Sequence, residues 1–487
     1  MMSTNEIFER ARLSRDARFD GRFFIGVKTT GIYCRPICPA NTPKSENVVY
    51  YRTAAAASEA GFRPCLRCRP ECAPGTPAWA GTSTTVHRAL RLIAQGALDN
   101  GNLEHLADRL GVTSRHLRRL FNKHLGASPL AVAHTQRLHF AKNLIDQTSL
   151  SMREISVAAG FGSVRRFNDT FRKTYGRTPG ELRRSGDACV TASAFSVQLP
   201  YRRPFDWDRL LKFFAARATP RVESVHGGRY LRTLAIGDER GILDVQNTGD
   251  HLLLSLHGIG TNALFSIVQR ARSLFDLDAS TDEIARVLSA DPRLKALMKK
   301  NPGVRVPGSW DGFELTVRAI LGQQVSVSAA TTLAGRVAER YGKRIDVSVD
   351  GLPQAPDRLF PEPQKLVSAR LENLGIIASR ARTIRSIARA VVDGTLSIDA
   401  AESPDDFCKS LQAIKGVGDW TAQYAAMRAL KDPDAFPASD LGLLRAFDCP
   451  GKLRMKPGEL MTRAEAWRPW RAYAALLLWG SETGAGG

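Results

Sequence analysis

Four cysteines in two close pairs, Cys34-x3-Cys38 and Cys65-x2-Cys68, set the tightest constraint on how the first part of this chain can fold. The stretch around them is rich in Pro, Gly and Arg, with only short strand-like runs such as Phe23-Phe24-Ile25 and Val48-Val49-Tyr50-Tyr51. Two pairs of soft thiolates are what a tetrahedral zinc ion requires. A closed site of that kind supplies folding energy that a thin core cannot. Met1 to Arg22 lacks the apolar centre of a signal peptide, and no apolar run approaches the roughly 20 residues of a membrane span. The expectation is therefore an intracellular protein with reduced thiols, so metal binding is favoured over disulfides. Cys72 reads as a bystander beyond the fourth ligand. Spacing alone leaves two roles open for the quartet, a structural knuckle or a reactive thiolate.

The rest of the chain divides by composition. A length of 487 residues exceeds one hydrophobic core and predicts three or four domains. A Pro/Gly linker runs from Ala73 to Gly81, and a very basic helical pattern from Thr84 to about Arg184. A small-residue linker covers Ser185 to Ser193. Alternating runs from Ala194 to about Asp278 predict antiparallel strands, and a helical period returns after Asp282. The expected fold is multidomain and mainly α with α+β parts, with boundaries at 1–76, 82–185, 192–302 and 303–487. Lys+Arg 69 against Asp+Glu 48 gives a net charge of +21, which points to a polyanionic partner.

Two basic helical hairpins repeat about fifty residues apart. In the first, Leu103, Leu106, Ala107 and Leu110 share one face, Asn102 reads as the N-cap and Gly111 as the stop. Thr113 opens a second helix with Leu117, Leu120 and Phe121 inward and Arg115, Arg118 and Arg119 among its outer positions. In the second, Ser151 and Glu154 form a capping box, and Arg165 and Arg166 line the helix after the Gly160–Ser163 turn. A short helix, a glycine turn and a polar second helix make a helix-turn-helix, suited to the major groove. The alternative is a basic bundle with solvated charges.

Near the C-terminus, Leu411-x2-Ile414-Lys415-Gly416-Val417-Gly418-Asp419-Trp420 reads as helix, glycine turn, helix. Gly416 and Gly418 let backbone amides approach a phosphate without Cβ interference. Ser439-Asp440 ahead of an apolar run fits a helix N-cap, and Trp420, Tyr424 and Trp479 each fit ordinary core packing. Cys408 and Cys449 are isolated and read as structural.

Three resemblances sharpen this picture. Asp20-Gly21-Arg22-Phe23, Gly31-Ile32-Tyr33-Cys34-Arg35-Pro36-Ile37-Cys38, Glu46-Asn47-Val48 and Gly61-Phe62-Arg63-Pro64-Cys65-Leu66-Arg67-Cys68 closely resemble the N-terminal domain of the Ada adaptive-response family. That resemblance implies one zinc ion on Cys34, Cys38, Cys65 and Cys68, with Cys34 also accepting a methyl group from a DNA methylphosphotriester. The stretch from Leu120-Phe121 to Pro179 is similar to the AraC family's DNA-binding domain. Arg318-Ala319-Ile320-Leu321-Gly322-Gln323-Gln324-Val325-Ser326 and Trp467-Arg468-Pro469-Trp470-Arg471, with the hairpin and Phe436-Pro437-Ala438-Ser439-Asp440, resemble AlkA, the 3-methyladenine DNA glycosylase II of the helix-hairpin-helix superfamily. It implies a small antiparallel α+β domain followed by an all-α glycosylase domain, Asp440 as catalytic carboxylate, and Trp420, Tyr424 and Trp479 as pocket walls.

Departures from the family patterns also carry meaning. Gln324 stands where that family has a leucine wedge. Trp420 stands where strand-cleaving relatives carry a lysine, so no Schiff base is expected. The Pro-Cys-His-Arg motif for O6-methylguanine repair and the four cysteines of an iron–sulfur site are absent. The resemblances imply operator DNA and alkylated duplex as partners, RNA polymerase for activation, no membrane, a monomer, and a bacterial-type cytoplasmic, nucleoid-associated location. Two rivals stay open: a damage-responsive regulator whose C-terminal part only binds DNA, and a glycosylase whose zinc module only targets it.

Overall fold

The computed structural model describes residues 4–73, 84–94, 96–98, 102–185, 196–349, 352, 355–398, 403–447 and 455–482. The two linkers read from composition fall almost wholly outside these residues, as does Cys449. The chain forms two compact units, residues 1–201 with 250–255 and 260–269, and residues 202–249 with 256–259 and 270–487. Among the described residues, no helix is long and apolar enough to cross a membrane.

The first unit opens with α1 (Thr4–Leu13), then β1 (Phe24–Val27), β2 (Ile32–Cys34), β3 (Val48–Tyr51), α2 (Ala54–Glu59) and β4 (Arg63–Pro64). The strand order is β3-β1-β2-β4, antiparallel except for the parallel β2–β4 pair. Alternation across β1 splits its side chains between two small cores. Phe23, Ile25 and Val27 meet Ala11 and Phe8 on one face, and Phe24 meets Tyr33, Ala54 and Ala57 on the other.

Seven helices follow: α3 (Thr84–Ala94), α4 (Leu103–Arg109), α5 (Ser114–Leu125), α6 (Pro129–Gln147), α7 (Met152–Ala158), α8 (Val164–Tyr175) and α9 (Pro179–Ser185). The predicted caps form. Asn102 accepts from His105 N at 2.9 Å, Thr113 accepts from His116 N at 3.2 Å, and Ser151 with Glu154 makes the capping box. Each hairpin buries its apolar stripe, with Leu117 and Phe121 on α5 and Phe167 and Phe171 on α8 at 0% exposure. Leu120, expected inward, is only half-buried.

The zinc-ligand segment is built into this helical core. Ala55 and Ala56 of α2 join the apolar cluster of Val86, Leu106, Leu117 and Phe121. Thr53 Oγ1 caps α2 and also donates to Leu125 O at 2.9 Å. Glu59 accepts from the Ser128 amide and hydroxyl at the start of α6. Tyr33, next to Cys34, meets His139 of α6, Oη to Nε2, at 2.9 Å. Burial pushes the His139 imidazole down to about 4, so the ring is neutral.

The strand-rich stretch holds β5 (Ser196–Pro200), β6 (Glu223–His226), β7 (Arg229–Ile236), β8 (Glu239–Asn247) and β9 (His251–His257), and every register given for them is antiparallel. Two helices also lie in it, α10 (Trp207–Ala215) and α11 (Leu264–Leu274), which the alternation argument did not anticipate. Trp207, Leu210, Leu211 and Phe214 recur at helical spacing and are buried, and Asp206 caps α10 through Arg209 N at 3.1 Å.

The second unit is helical to its end: α12 (Thr281–Leu288), α13 (Pro292–Lys300), α14 (Gly312–Leu321), α15 (Val327–Tyr341), α16 (Pro363–Leu366), α17 (Ala378–Val392), α18 (Pro404–Gln412), α19 (Asp419–Arg428), α20 (Leu441–Arg445), α21 (Pro457–Ala464) and α22 (Arg471–Glu482). The helix α14 is tied to the β6–β8 meander by buried charge. Glu223 accepts from Arg232 and Arg318, each at 3.0 Å, and from Tyr230 Oη at 2.7 Å. Glu314 accepts from the same two arginines at 2.8 and 3.1 Å. Burial opposes the charge, but Arg318 and Arg232 hold the Glu223 carboxyl down to about 2. Removing one partner of such a set strands the others, so Glu223→Gln is expected to lower the stability of the second unit by about 3 kcal/mol in urea unfolding. The wild-type contribution is complete above about pH 4.5, the ordinary glutamate value, and is lost as pH falls toward 2, a dependence the variant should lack.

Candidate functional site

The sheet of the first unit brings the cysteines together. Cys34 ends β2 opposite Ile25, and β4 runs beside Ile32 and Tyr33, so that Cys65 N donates to Tyr33 O at 3.0 Å. The four ligand sulfurs of Cys34, Cys38, Cys65 and Cys68 lie within 4.8 Å of one another. A tetrahedral zinc with Zn–S bonds of ≈ 2.3 Å needs sulfurs about 3.8 Å apart, so the donor set fits. Arg35 braces the cage. Its amide donates to Cys68 Sγ at 3.3 Å, its guanidinium donates to Cys68 O at 3.0 Å, and Asp20 holds it by an ion pair. Cys72 stays outside, 3.6 Å from Asn143 Oδ1, and burial pushes its thiol up to about 11. Cys34 is 9% exposed, and Cys38 is the more open of the two.

The predicted DNA-facing arginines Arg115, Arg118 and Arg119 on α5, and Arg165 and Arg166 on α8, are all exposed. They flank the buried Leu117/Phe121 and Phe167/Phe171 stripes, the arrangement of a helix that packs on one side and presents cations on the other.

In the second unit three of the four predicted pocket residues, Trp420, Tyr424 and Trp479, come together, and no contact joins the fourth, Gln324, to them among the described residues. Trp420 stacks on Tyr424 with centroids 5.1 Å apart and planes 9° from parallel, and Trp479 of α22 closes at 6.4 Å. Asp440 caps α20 through Leu443 N at 3.1 Å and also faces the aromatics. Trp420 Nε1 donates to its Oδ2 at 2.7 Å, and Trp479 Nε1 donates to its Oδ1 at 2.8 Å. The same carboxylate therefore caps α20 and receives both indole N–H groups. Behind the wall, Arg428 donates to Tyr424 Oη at 2.6 Å and to the carbonyls of Pro307 and Gly308. Burial would raise the Tyr424 phenol, yet Arg428 and Arg217 hold it below its usual range.

The hairpin turn sits beside the Gln324 segment. Gly416 has φ +97°, and a Cβ there would lie 2.1 Å from Thr383 Oγ1. Gly418 is the N-cap of α19, and a Cβ there would meet nothing within 4 Å. Gln323 Nε2 bonds Gly416 O and Thr421 Oγ1, both at 3.1 Å, and Arg380 bonds Gln323 O. Gln324 itself is exposed, with a left-handed backbone at φ +54°. Gln323 and Arg428 stood in the matched segments without a role of their own, and Thr383 is marked only by its tertiary contact with the hairpin.

Metal content and DNA binding both check this geometry. Cys65→Ser is expected to abolish binding of one zinc per chain, read by metal content, and to collapse protease resistance of residues 4–73. Gly416→Ala should lower the melting temperature and weaken duplex binding at least tenfold. Gly418→Ala should leave melting unchanged and weaken binding severalfold, through lost backbone approach alone.

Comparison with known proteins covers both units. A model of the metal binding domain of Ada matches residues 8–71, a helix-turn-helix domain residues 106–185, the AlkA N-terminal domain residues 196–311, and the HhH-GPD superfamily base excision DNA repair protein residues 317–472. The chain is 42% identical to a Mycobacterium tuberculosis protein named "Probable bifunctional transcriptional activator/DNA repair enzyme AlkA", over 96% of this chain and 95% of that one. It is 37% identical to the Escherichia coli DNA-3-methyladenine glycosylase 2 over 58% of this chain and 96% of that one. A 3-methyladenine DNA-glycosylase structure from Archaeoglobus fulgidus shares the fold with a TM-score of 0.50, at 21% identity, over 58% of this chain and 97% of that one. Matched almost end to end, with an Ada-type four-cysteine zinc site, a double helix-turn-helix and a helix-hairpin-helix glycosylase fold in one polypeptide, the chain belongs to the family of bifunctional transcriptional activator/DNA repair enzymes of the AlkA type.

Proposed function

We propose that this protein senses and repairs DNA alkylation damage with two separate chemistries. Residues 303–487 act as a monofunctional DNA-3-methyladenine glycosylase, and residues 1–76 as a stoichiometric methyl acceptor. Residues 82–185 read operator DNA, and residues 192–302 support the glycosylase. The observation that carries the reading is Asp440, a carboxylate set among Trp420, Tyr424 and Trp479 beside a glycine hairpin.

In the glycosylase, an extruded alkylated purine stacks against the aromatic walls, whose electron-rich faces favour a cationic base. As the glycosidic bond lengthens, the electron pair leaves with the base and positive charge builds on the sugar. The Asp440 carboxylate stabilises that charge and guides water to C1′, leaving an abasic site. Position 420 holds tryptophan rather than an amine, so no covalent imine forms and the strand stays intact.

In the sensor, zinc on Cys34, Cys38, Cys65 and Cys68 supplies thiolate character to its ligands. The Cys34 sulfur attacks the methyl carbon of a neutral methylphosphotriester. A C–S bond forms, the C–O bond breaks, and the electron pair departs with the phosphate as an ordinary anionic diester. The cluster loses one negative charge, repulsion from DNA falls, and operator binding through Arg115, Arg118, Arg119, Arg165 and Arg166 strengthens. Activation then recruits RNA polymerase to a monomer at the bacterial nucleoid. The assignment to Cys34 follows the Cys-Arg-Pro-x-Cys motif, whereas exposure favours Cys38.

Methylated duplex DNA tests both halves. Wild type should release methylated purines, and Asp440→Asn should lose at least a hundredfold in rate. Peptide mass mapping should place one methyl on Cys34. A methyl on Cys38 reassigns the acceptor, and no methyl at all makes the zinc module a targeting element only. An Asp440→Asn variant with the wild-type rate would sink the glycosylase mechanism.

A further inference from the structure

Two indoles from distant helices, Trp420 on α19 and Trp479 on α22, direct their N–H groups at one carboxylate, one at each oxygen. A ring that serves only to stack on a flat base has no need to turn its N–H edge this way. Here both do so, at 2.7 and 2.8 Å, and the Leu443 amide adds a third donor to Oδ1. The third wall, Tyr424, does not share this role: its hydroxyl is engaged by Arg428. An indole N–H donates and never accepts, so both partners suit an acceptor-only carboxylate. A carboxamide at position 440 would turn its NH2 against one of them.

We propose that Trp420 and Trp479 are positioning residues for base excision, whose indole N–H groups clamp the Asp440 carboxylate in a single orientation. The proposal rests on reading Asp440 as the carboxylate that serves the reaction. The same two rings are then wall and clamp at once. Pocket shape and carboxylate orientation cannot be changed independently, because ring and donor belong to one rigid group. Charge-assisted donors of this kind are the stronger class of hydrogen bond, so each one lost should cost roughly 10- to 100-fold in rate.

The test uses the full chain and single-turnover release of methylated purines from alkylated duplex DNA. Trp420→Phe and Trp479→Phe keep an aromatic wall and remove the donor. Each is expected to lower the saturating rate constant by about 10- to 100-fold while the half-saturating enzyme concentration moves less than about twofold. Replacing Trp420 by 3-benzothienylalanine, which keeps the bicyclic shape and lacks the N–H, should give the same loss and guards against misfolding of the smaller side chain. In an Asp440→Asn background the tryptophan substitutions should change the residual rate less than twofold, because they act through the carboxylate.

Unchanged rate constants in the donor-less variants overturn the clamp. So does an equal loss in the Asp440→Asn background, which would mean the rings act as walls alone. An Asp440→Asn protein with the wild-type rate is a separate result, and overturns the reading beneath.

Discussion

Three buried charges and one half-buried arginine, on and around one helix, organise the second unit. Glu314 and Arg318 lie one turn apart on α14, and each pairs with residues of the β6–β8 meander. Taking such groups from water is costly, and the cost is offset only where geometry satisfies every donor and acceptor. Here two carboxylates share two guanidiniums, and Tyr230 takes part of the remaining capacity. The set admits one docking of α14. The turn that carries Gln323 and Gln324, and through Gln323 the hairpin glycine at position 416, follows from where α14 ends. The hairpin turn is thus linked through Gln323 to the helix that this polar network docks.

The first unit depends on a different constraint. Its strands β1 to β4 are two to four residues long, and each face of their sheet buries only a few side chains. Such a domain is thin for its size, and the cysteine cage supplies the missing folding energy when zinc binds. The remaining support comes from the helices. The insertion of Ala55 and Ala56 into the helix-turn-helix core, the Thr53–Leu125 and Glu59–Ser128 bonds and the Tyr33–His139 contact make α2 and β2 part of the reading head. Cys34 lies one residue from a side chain that touches α6, the helix joining the two basic hairpins.

Several features were legible because they are encoded locally. Caps at Asn102, Thr113 and Ser151 form within three residues, so side chain and backbone group are neighbours in the chain before any tertiary contact exists. The cysteine pairs, the hairpin glycines and the stripes of Leu117/Phe121 and Phe167/Phe171 are local in the same sense. Alternation over Ala194–Asp278 revealed strands but hid α10, since Trp207, Leu210, Leu211 and Phe214 belong to a short period embedded between longer runs of the other kind.

By itself the sequence determined which residue types were available for chemistry: four thiols at metal spacing, a carboxylate beyond a glycine hairpin, three aromatics and two arginine-bearing helices. It also determined the periods that turn those stretches into helices and strands. Only the tertiary structure decided that Asp440 receives Trp420 and Trp479 by their N–H edges, across separations of 20 and 39 residues. It alone set Thr383 against Gly416 and drew Glu223 to Arg318 across 95 residues. Periodicity reports which face of an element is apolar, whereas hydrogen-bond direction and charge pairing depend on how two such faces are rotated against each other. That rotation is fixed by packing and by the cost of leaving a buried polar group unpaired.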